Sequence, residues 1–182
     1  MRGSIVNRVF LSLFKNIYPY KYTIEYIAYD QLNFNGIKQL YNHLKTVHPL
    51  DCFIHIGSGR GKLCMCMAIQ PKIIVVLGVE PVKYLHDDAE DIKSDLKSEN
   101  YDKVELINKS ILDVNLKKYP KNTFVWLGTF HFRDKNNIFK KLKIELPRGT
   151  LICSLYLPDI NIGELLESVI ISESLEVYIY RL

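Results

Sequence analysis

Between Gly36 and Lys45 the apolar residues Ile37, Leu40, Tyr41 and Leu44 fall at helical spacing, and His48-Pro49 ends the run. A short apolar stretch, CFIHI, then leads through a glycine-rich turn into KLCMCMAI, a pattern that predicts strand, turn and buried helix. KIIVVLGVE is a continuous β-branched run, the pattern of a strand covered on both faces in a parallel sheet. From Val82 to Lys97 a charged segment carries Leu85, Ala89, Ile92 and Leu96 near helical spacing. Further strands are predicted at KVELI, TFVWLGTF and TLICSLYL, with a helix at NNIFKKLKIEL before the last of them. ESVIIS and LEVYIYRL, rich in β-branched and aromatic residues, predict a closing strand pair. Strands taking turns with helices call for a doubly wound α/β sheet, in which ligands sit beyond the carboxyl ends of the strands.

The chain has 182 residues, enough for one domain with a core that needs neither disulfides nor a structural metal. Nearly half the residues are apolar and charges of both signs are mixed, which excludes a disordered tail. A net charge of +4 permits an acidic partner such as nucleic acid without demanding one. Cys52, Cys64, Cys66 and Cys153 include no C-x-x-C pair, so no metal is expected and the thiols read as buried and reduced in an intracellular protein. RVFLSLFKNIY is too short for a signal sequence or a membrane span, so no membrane partner is expected. The leading MRGS has the look of a vector remnant and carries no functional weight.

The chemistry concentrates in FIHIGSGRGK, where Gly57, Gly59 and Gly61 alternate directly after the first strand. A phosphate-binding P-loop fails here at two positions: Ile56 stands five before Gly61, and Leu63 follows Lys62. A dinucleotide fingerprint would need its third glycine at Lys62. With no second catalytic domain in view either, a nicotinamide dehydrogenase is disfavoured. G-x-G-x-G remains, and small residues at a strand-to-helix turn also occur on conformational grounds alone. Glu80, at the end of the next strand, is placed to accept hydrogen bonds from both ribose hydroxyls of a nucleoside; the alternative is a solvated strand-end acid.

G-x-G-x-G with a downstream acid resembles the S-adenosylmethionine site of class I methyltransferases. Within that superfamily the sequence looks like the Dot1-like branch, the non-SET lysine methyltransferases. GSGRGK is similar to that branch's G-S-G-x-G-[QNK], Gly78 to Glu80 to its second-strand ending, and Tyr29 to Gln31 to its Y-G-E loop. WLGTFHF resembles its fourth-strand motif, ending in Phe130 and Phe132, and VYIYRL its closing strand. The likeness implies a Rossmann-like seven-stranded methyltransferase sheet over residues 29–182 behind an N-terminal extension, residues 1–28. It implies S-adenosyl-L-methionine as cofactor, met by Tyr29, Gln31, His55, Gly57, Ser58, Gly59, Gly61, Lys62, Glu80, Ser110 and Ile111. It also implies protein lysine as acceptor, approached by Thr129, Phe130 and His131.

Departures from the family fall where it has polar contacts. His55 stands at the place of an aspartate, Ser110 at that of the adenine-contacting acid with Ile111 for an aromatic, Gly128 at that of a fourth-strand asparagine, and Gln31 at that of a glutamate. Methyl transfer from a sulfonium needs alignment more than a protein nucleophile. A lysine acceptor must still shed its proton, which an aromatic channel of Phe130 and Phe132 would promote by disfavouring the ammonium form; core packing is the alternative for both. His131 and His55 are candidate proton acceptors, although a lone histidine is more often a hydrogen-bonded structural residue. Lys62 would meet the methionyl carboxylate or stay solvated, and Asp113 would replace the missing adenine acid or cap a turn.

Lys117, Lys118, Lys121, Lys135, Lys140, Lys141, Lys143 and Arg148 form a basic run that could meet nucleic-acid phosphates or be a solvated face. YPYKYTIEYIAY could line an acceptor groove or lie half-buried over the core. Two functions therefore stand: a methyltransferase, and a degenerate methyltransferase fold that binds or regulates without catalysis.

Overall fold

The computed structural model describes residues 42–44, 50–96, 99–120, 122–127, 134–155, 161–172 and 175–182. Strands β1 (Cys52–Ile56), β2 (Val75–Val79), β3 (Val104–Ile107), β4 (Thr123–Leu127), β5 (Leu151–Ser154), β6 (Glu164–Ser172) and β7 (Leu175–Arg181) form one sheet of order β3-β2-β1-β4-β5-β7-β6. The first five run parallel, and β7 lies antiparallel to both β5 and β6. Helices α1 (Lys62–Ala68), α2 (Lys83–Asp95) and α3 (Lys135–Glu145) cover it. Residues 42–44 are helical, within the stretch that the sequence predicts to be so.

β1 is central because its sequence tolerates burial on both sides. Cys52, Ile54 and Ile56 enter one core cluster with Leu77, Val125, Leu127 and Ile152, where α3 adds Ile138, Phe139 and Leu142. Phe53 enters the other, stacked on Phe124 with ring centroids 5.9 Å apart, beside Trp126 and the buried residues of α1. Ile92 and Leu96 pack against that second cluster, so α1 and α2 lie on one face of the sheet and α3 on the other.

β2 is shorter than KIIVVLGVE predicts. Its ladder begins at Val75 because Val75 is the residue opposite Cys52, where β1 itself begins. Ahead of it Ile73 is buried while Ile74 is 63% exposed. Among the described residues of the crossover from β3 to β4 there is no α-helix. A short turn, Ile111–Asp113, and the buried Val114, Leu116 and Tyr119 close the sheet there, and Leu116 N–H donates to Glu145 Oε2 of α3 at 2.9 Å. All four cysteines are buried and free, and burial pushes the Cys52 thiol up to about 11 and the Cys64 thiol to about 12. The described residues include no helix able to cross a membrane and no metal-holding group of His, Cys, Asp and Glu.

Gly78 fixes how closely α1 and the glycine turn approach the sheet. A Cβ there would lie 2.7 Å from Leu106 Cδ2 and 3.0 Å from both Cys64 Sγ and Ser58 Oγ. Gly78→Ala is expected to cost about 1–3 kcal/mol through overpacking, read as a lower urea midpoint. An unchanged midpoint would mean that the helix floats on the sheet.

Candidate cofactor site

The glycine turn sits at the carboxyl end of β1, where the strand order reverses between β1 and β4, the place at which open α/β sheets take ligands. Gly57, Gly59 and Gly61 have φ of 73°, 52° and 72°. All three lie in the left-handed region, where any other residue costs roughly 1–2 kcal/mol. That backbone wraps the chain over the end of β2: Gly57 and Ser58 N–H both donate to Val79 O, at 2.8 and 3.1 Å. Gly61 N–H then donates to Ser58 O at 2.9 Å, and Gly61 precedes α1.

Glu80 lies beneath this turn. Its Oε2 accepts from Gly59 N–H at 2.8 Å and its Oε1 from Val82 N–H at 2.9 Å. The residue is 2% exposed, so it is not the solvated strand-end acid of the alternative reading. Burial pushes its carboxyl above the usual range, opposed by the two backbone donors and by His86. Each oxygen accepts one hydrogen bond in this arrangement and has a second lone pair.

Two polar side chains not expected from the sequence hold the surroundings of the acid. Asn108 Nδ2 donates to Glu80 O at 2.8 Å, and Arg60 Nε pairs with Asp88 Oδ2 at 2.7 Å, tying the turn to α2. A polar residue directly after β3, beside the acid-bearing strand, was the clue to Asn108; the backbone donor at Val82 leaves none.

The remaining glycines divide the turn into a packed and an open part. A Cβ on Gly61 would meet Ala89 Cβ at 3.1 Å, so that glycine serves the contact with α2. A Cβ on Gly59 would find nothing within 4 Å beyond its chain neighbours. Open space therefore adjoins bare backbone next to the acid.

His55 is buried, with Nδ1 4.0 Å from Cys64 Sγ and its ring 6.3 Å from that of Phe53. Burial holds its pKa down at about 3, so the imidazole is neutral near neutral pH. Lys62 opens α1 and is half-buried. Ser110 Oγ accepts from Leu112 N–H at 3.3 Å, capping the Ile111–Asp113 turn, while Ile111 is a core residue and Asp113 is exposed. Tyr29, Gln31, Lys121, Gly128, Thr129, Phe130, His131 and Phe132 lie outside the described residues, as does the expected boundary at residue 29.

Solved structures with the same architecture exist. An RNA methyltransferase of Salinibacter ruber in complex with S-adenosyl-L-homocysteine superposes with a TM-score of 0.63 at 16% identity, covering 82% of this chain and 92% of that one. The fold is that of the class I methyltransferases. A similar methyltransferase fold occurs in the rRNA methyltransferase aviRa of Streptomyces viridochromogenes, with a TM-score of 0.60 at 10% identity over 80% of this chain and 83% of that one. The glycopeptide N-methyltransferase MtfA, complexed with S-adenosyl-L-methionine, gives 0.55 at 12% over 81% and 66%. At such identities the likeness establishes the methyltransferase fold and nothing finer, and it lends no support to the Dot1-like branch. No protein-family model matches the sequence, and no curated protein does.

The neutral His55 has a signature in stability. Its folded pKa lies below its ordinary value, so the unfolded chain takes up a proton below about pH 6.5 that the folded chain refuses until about pH 3. This contribution is complete above that window and is lost as pH falls through it. Between about pH 7 and about pH 5 the wild type should lose about 2 kcal/mol more than His55→Asn, measured by urea unfolding at both values. Parallel losses would mean that the imidazole protonates freely in the folded protein.

Proposed function

We propose that the chain is an S-adenosylmethionine-dependent methyltransferase with RNA as acceptor. The observation that carries the cofactor reading is Gly59: a left-handed glycine with open space where its side chain would stand, bonded to the acid at the end of β2. A nucleoside laid against that backbone would find the second lone pairs of Glu80 for its ribose hydroxyls. The cofactor, when bound, supplies a methyl group already activated on a sulfonium centre. The protein's own work is then to hold two partners in line and keep water out, and proximity of this kind is worth about 7–11 kcal/mol at best. Glu80 and Asn108 fix the end of β2, while Gly59 keeps the approach clear.

Support for RNA comes from two ribosomal or RNA enzymes among similar structures and from the basic run on either side of β4. Protein lysine, implied by the Dot1-like motifs, is the competing acceptor. Phe130 and Phe132, the channel that reading relies on, lie outside the described residues.

A second reading, a binding or regulatory module without catalysis, is favoured by the uncharged His55 and by Glu80 spending hydrogen bonds on its own backbone. Calorimetry with S-adenosylmethionine and S-adenosylhomocysteine separates the two. The wild type should bind both, and Gly59→Ala should lose more than tenfold in affinity, equal to about 1.4 kcal/mol, while its melting point falls by only about 2–4 °C. No heat from the wild type would leave the binding module. Labelled cofactor offered to RNA, histones and small metabolites then reads the acceptor, with transfer to histone alone restoring the lysine assignment.

A further inference from the structure

The helices on the two faces of the sheet, α2 and α3, carry opposite charge. On the α1/α2 face, α2 holds Asp87, Asp88, Glu90, Asp91 and Asp95 against Lys83 and Lys93. Lys83 and Arg60 pair with Asp87 and Asp88, and Lys93 donates instead to a backbone carbonyl, so the acids further along the helix are unbalanced. On the other face α3 holds Lys135, Lys140, Lys141 and Lys143 against Glu145 alone. Glu145 is taken by Lys141 at 2.6 Å, and Glu105 by Lys118 at 3.3 Å. Lys143 donates to the uncharged Asn161 O, while Lys140 and Arg148 are exposed and meet no carboxylate among the described residues.

Placement adds direction to this charge. β4 ends at the edge of the sheet that holds the glycine turn, and α3 starts from that edge and runs back along the face for about 16 Å. Its apolar side, Ile138, Phe139 and Leu142, is buried in the sheet. Its outer side presents Lys140 and Lys143, and the turn after it presents Arg148. A polyanion laid on this face is attracted to the middle and far end of α3, and its continuation along the helix leads toward the cofactor edge; on the α2 face it would be repelled.

We propose that RNA docks along α3 and the turn that follows it, with its phosphates on Lys140, Lys143 and Arg148. This deepens the RNA-methyltransferase reading and rests on it. Phosphate contacts of this kind position a substrate without reading its sequence, so the face acts as a rail and leaves base choice to the cofactor edge.

The test is fluorescence anisotropy of a labelled single-stranded RNA with the full chain at several salt concentrations and no cofactor. A Lys140→Ala, Lys143→Ala, Arg148→Ala triple variant should bind at least tenfold more weakly at low salt. Its slope of log affinity against log salt should be smaller by about 2, at roughly 0.7 per lost phosphate contact. Lys140→Arg with Lys143→Arg and Arg148→Lys should restore both. An unchanged slope in the triple variant, no RNA binding by the wild type, or poly-glutamate bound as tightly as RNA would overturn the proposal. The last outcome would assign the face to an acidic protein. Cofactor calorimetry on the same triple variant should match the wild type, so a failure of the rail and a failure of the cofactor reading are told apart.

Discussion

The carboxylate of Glu80 holds together segments that would otherwise be free to separate. Through one oxygen it takes the N–H of Gly59 in the turn after β1, and through the other the N–H of Val82 at the start of α2. Its own carbonyl is held by Asn108 after β3, and its N–H donates to Ile107 O. Three consecutive strand ends are therefore tied at one residue. An unpaired buried carboxylate is costly, and this one is tolerated because two main-chain donors face it. The left-handed glycines are the other half of the arrangement. Without their φ values the Gly59 N–H would not turn toward the acid.

The polar positions around that knot find their partners within the chain. His55 is stabilised as a neutral ring between Cys64 and Phe53, and Ser110 caps its own short turn. Neither residue depends on a ligand for its partners. The site's shape is thus set by main chain and one acid, and its charge by what the neighbouring faces supply.

Much of the fold was legible because strands buried on both faces must read as apolar runs, and β1, β2 and β4 do. Their limits were less so. β2 starts where Cys52 offers it a partner, a fact of the neighbour's sequence and not of its own. At the site, the glycine spacing and the acid were visible in advance, and the closing β6–β7 pair was too. What Glu80 would bond to was hidden, since backbone donors at Gly59 and Val82 have no signature in residue type. Ser110 was read by analogy with an adenine contact, whereas a serine just ahead of a turn is equally a cap. The charge contrast between α2 and α3 was half seen: the lysines were countable, but only the packing of Ile92 and Ile138 into different clusters puts the two helices on opposite sides.

The four cysteines sit at 0%, 0%, 2% and 0% exposure with their thiols held protonated by burial. A thiol-directed dye can reach them only when the sheet or α1 opens, because the thiolate is the reacting species. The molecule thus contains a built-in clock for its own opening, and the slowing of that clock by any small compound would report engagement of the folded state without a catalytic assay.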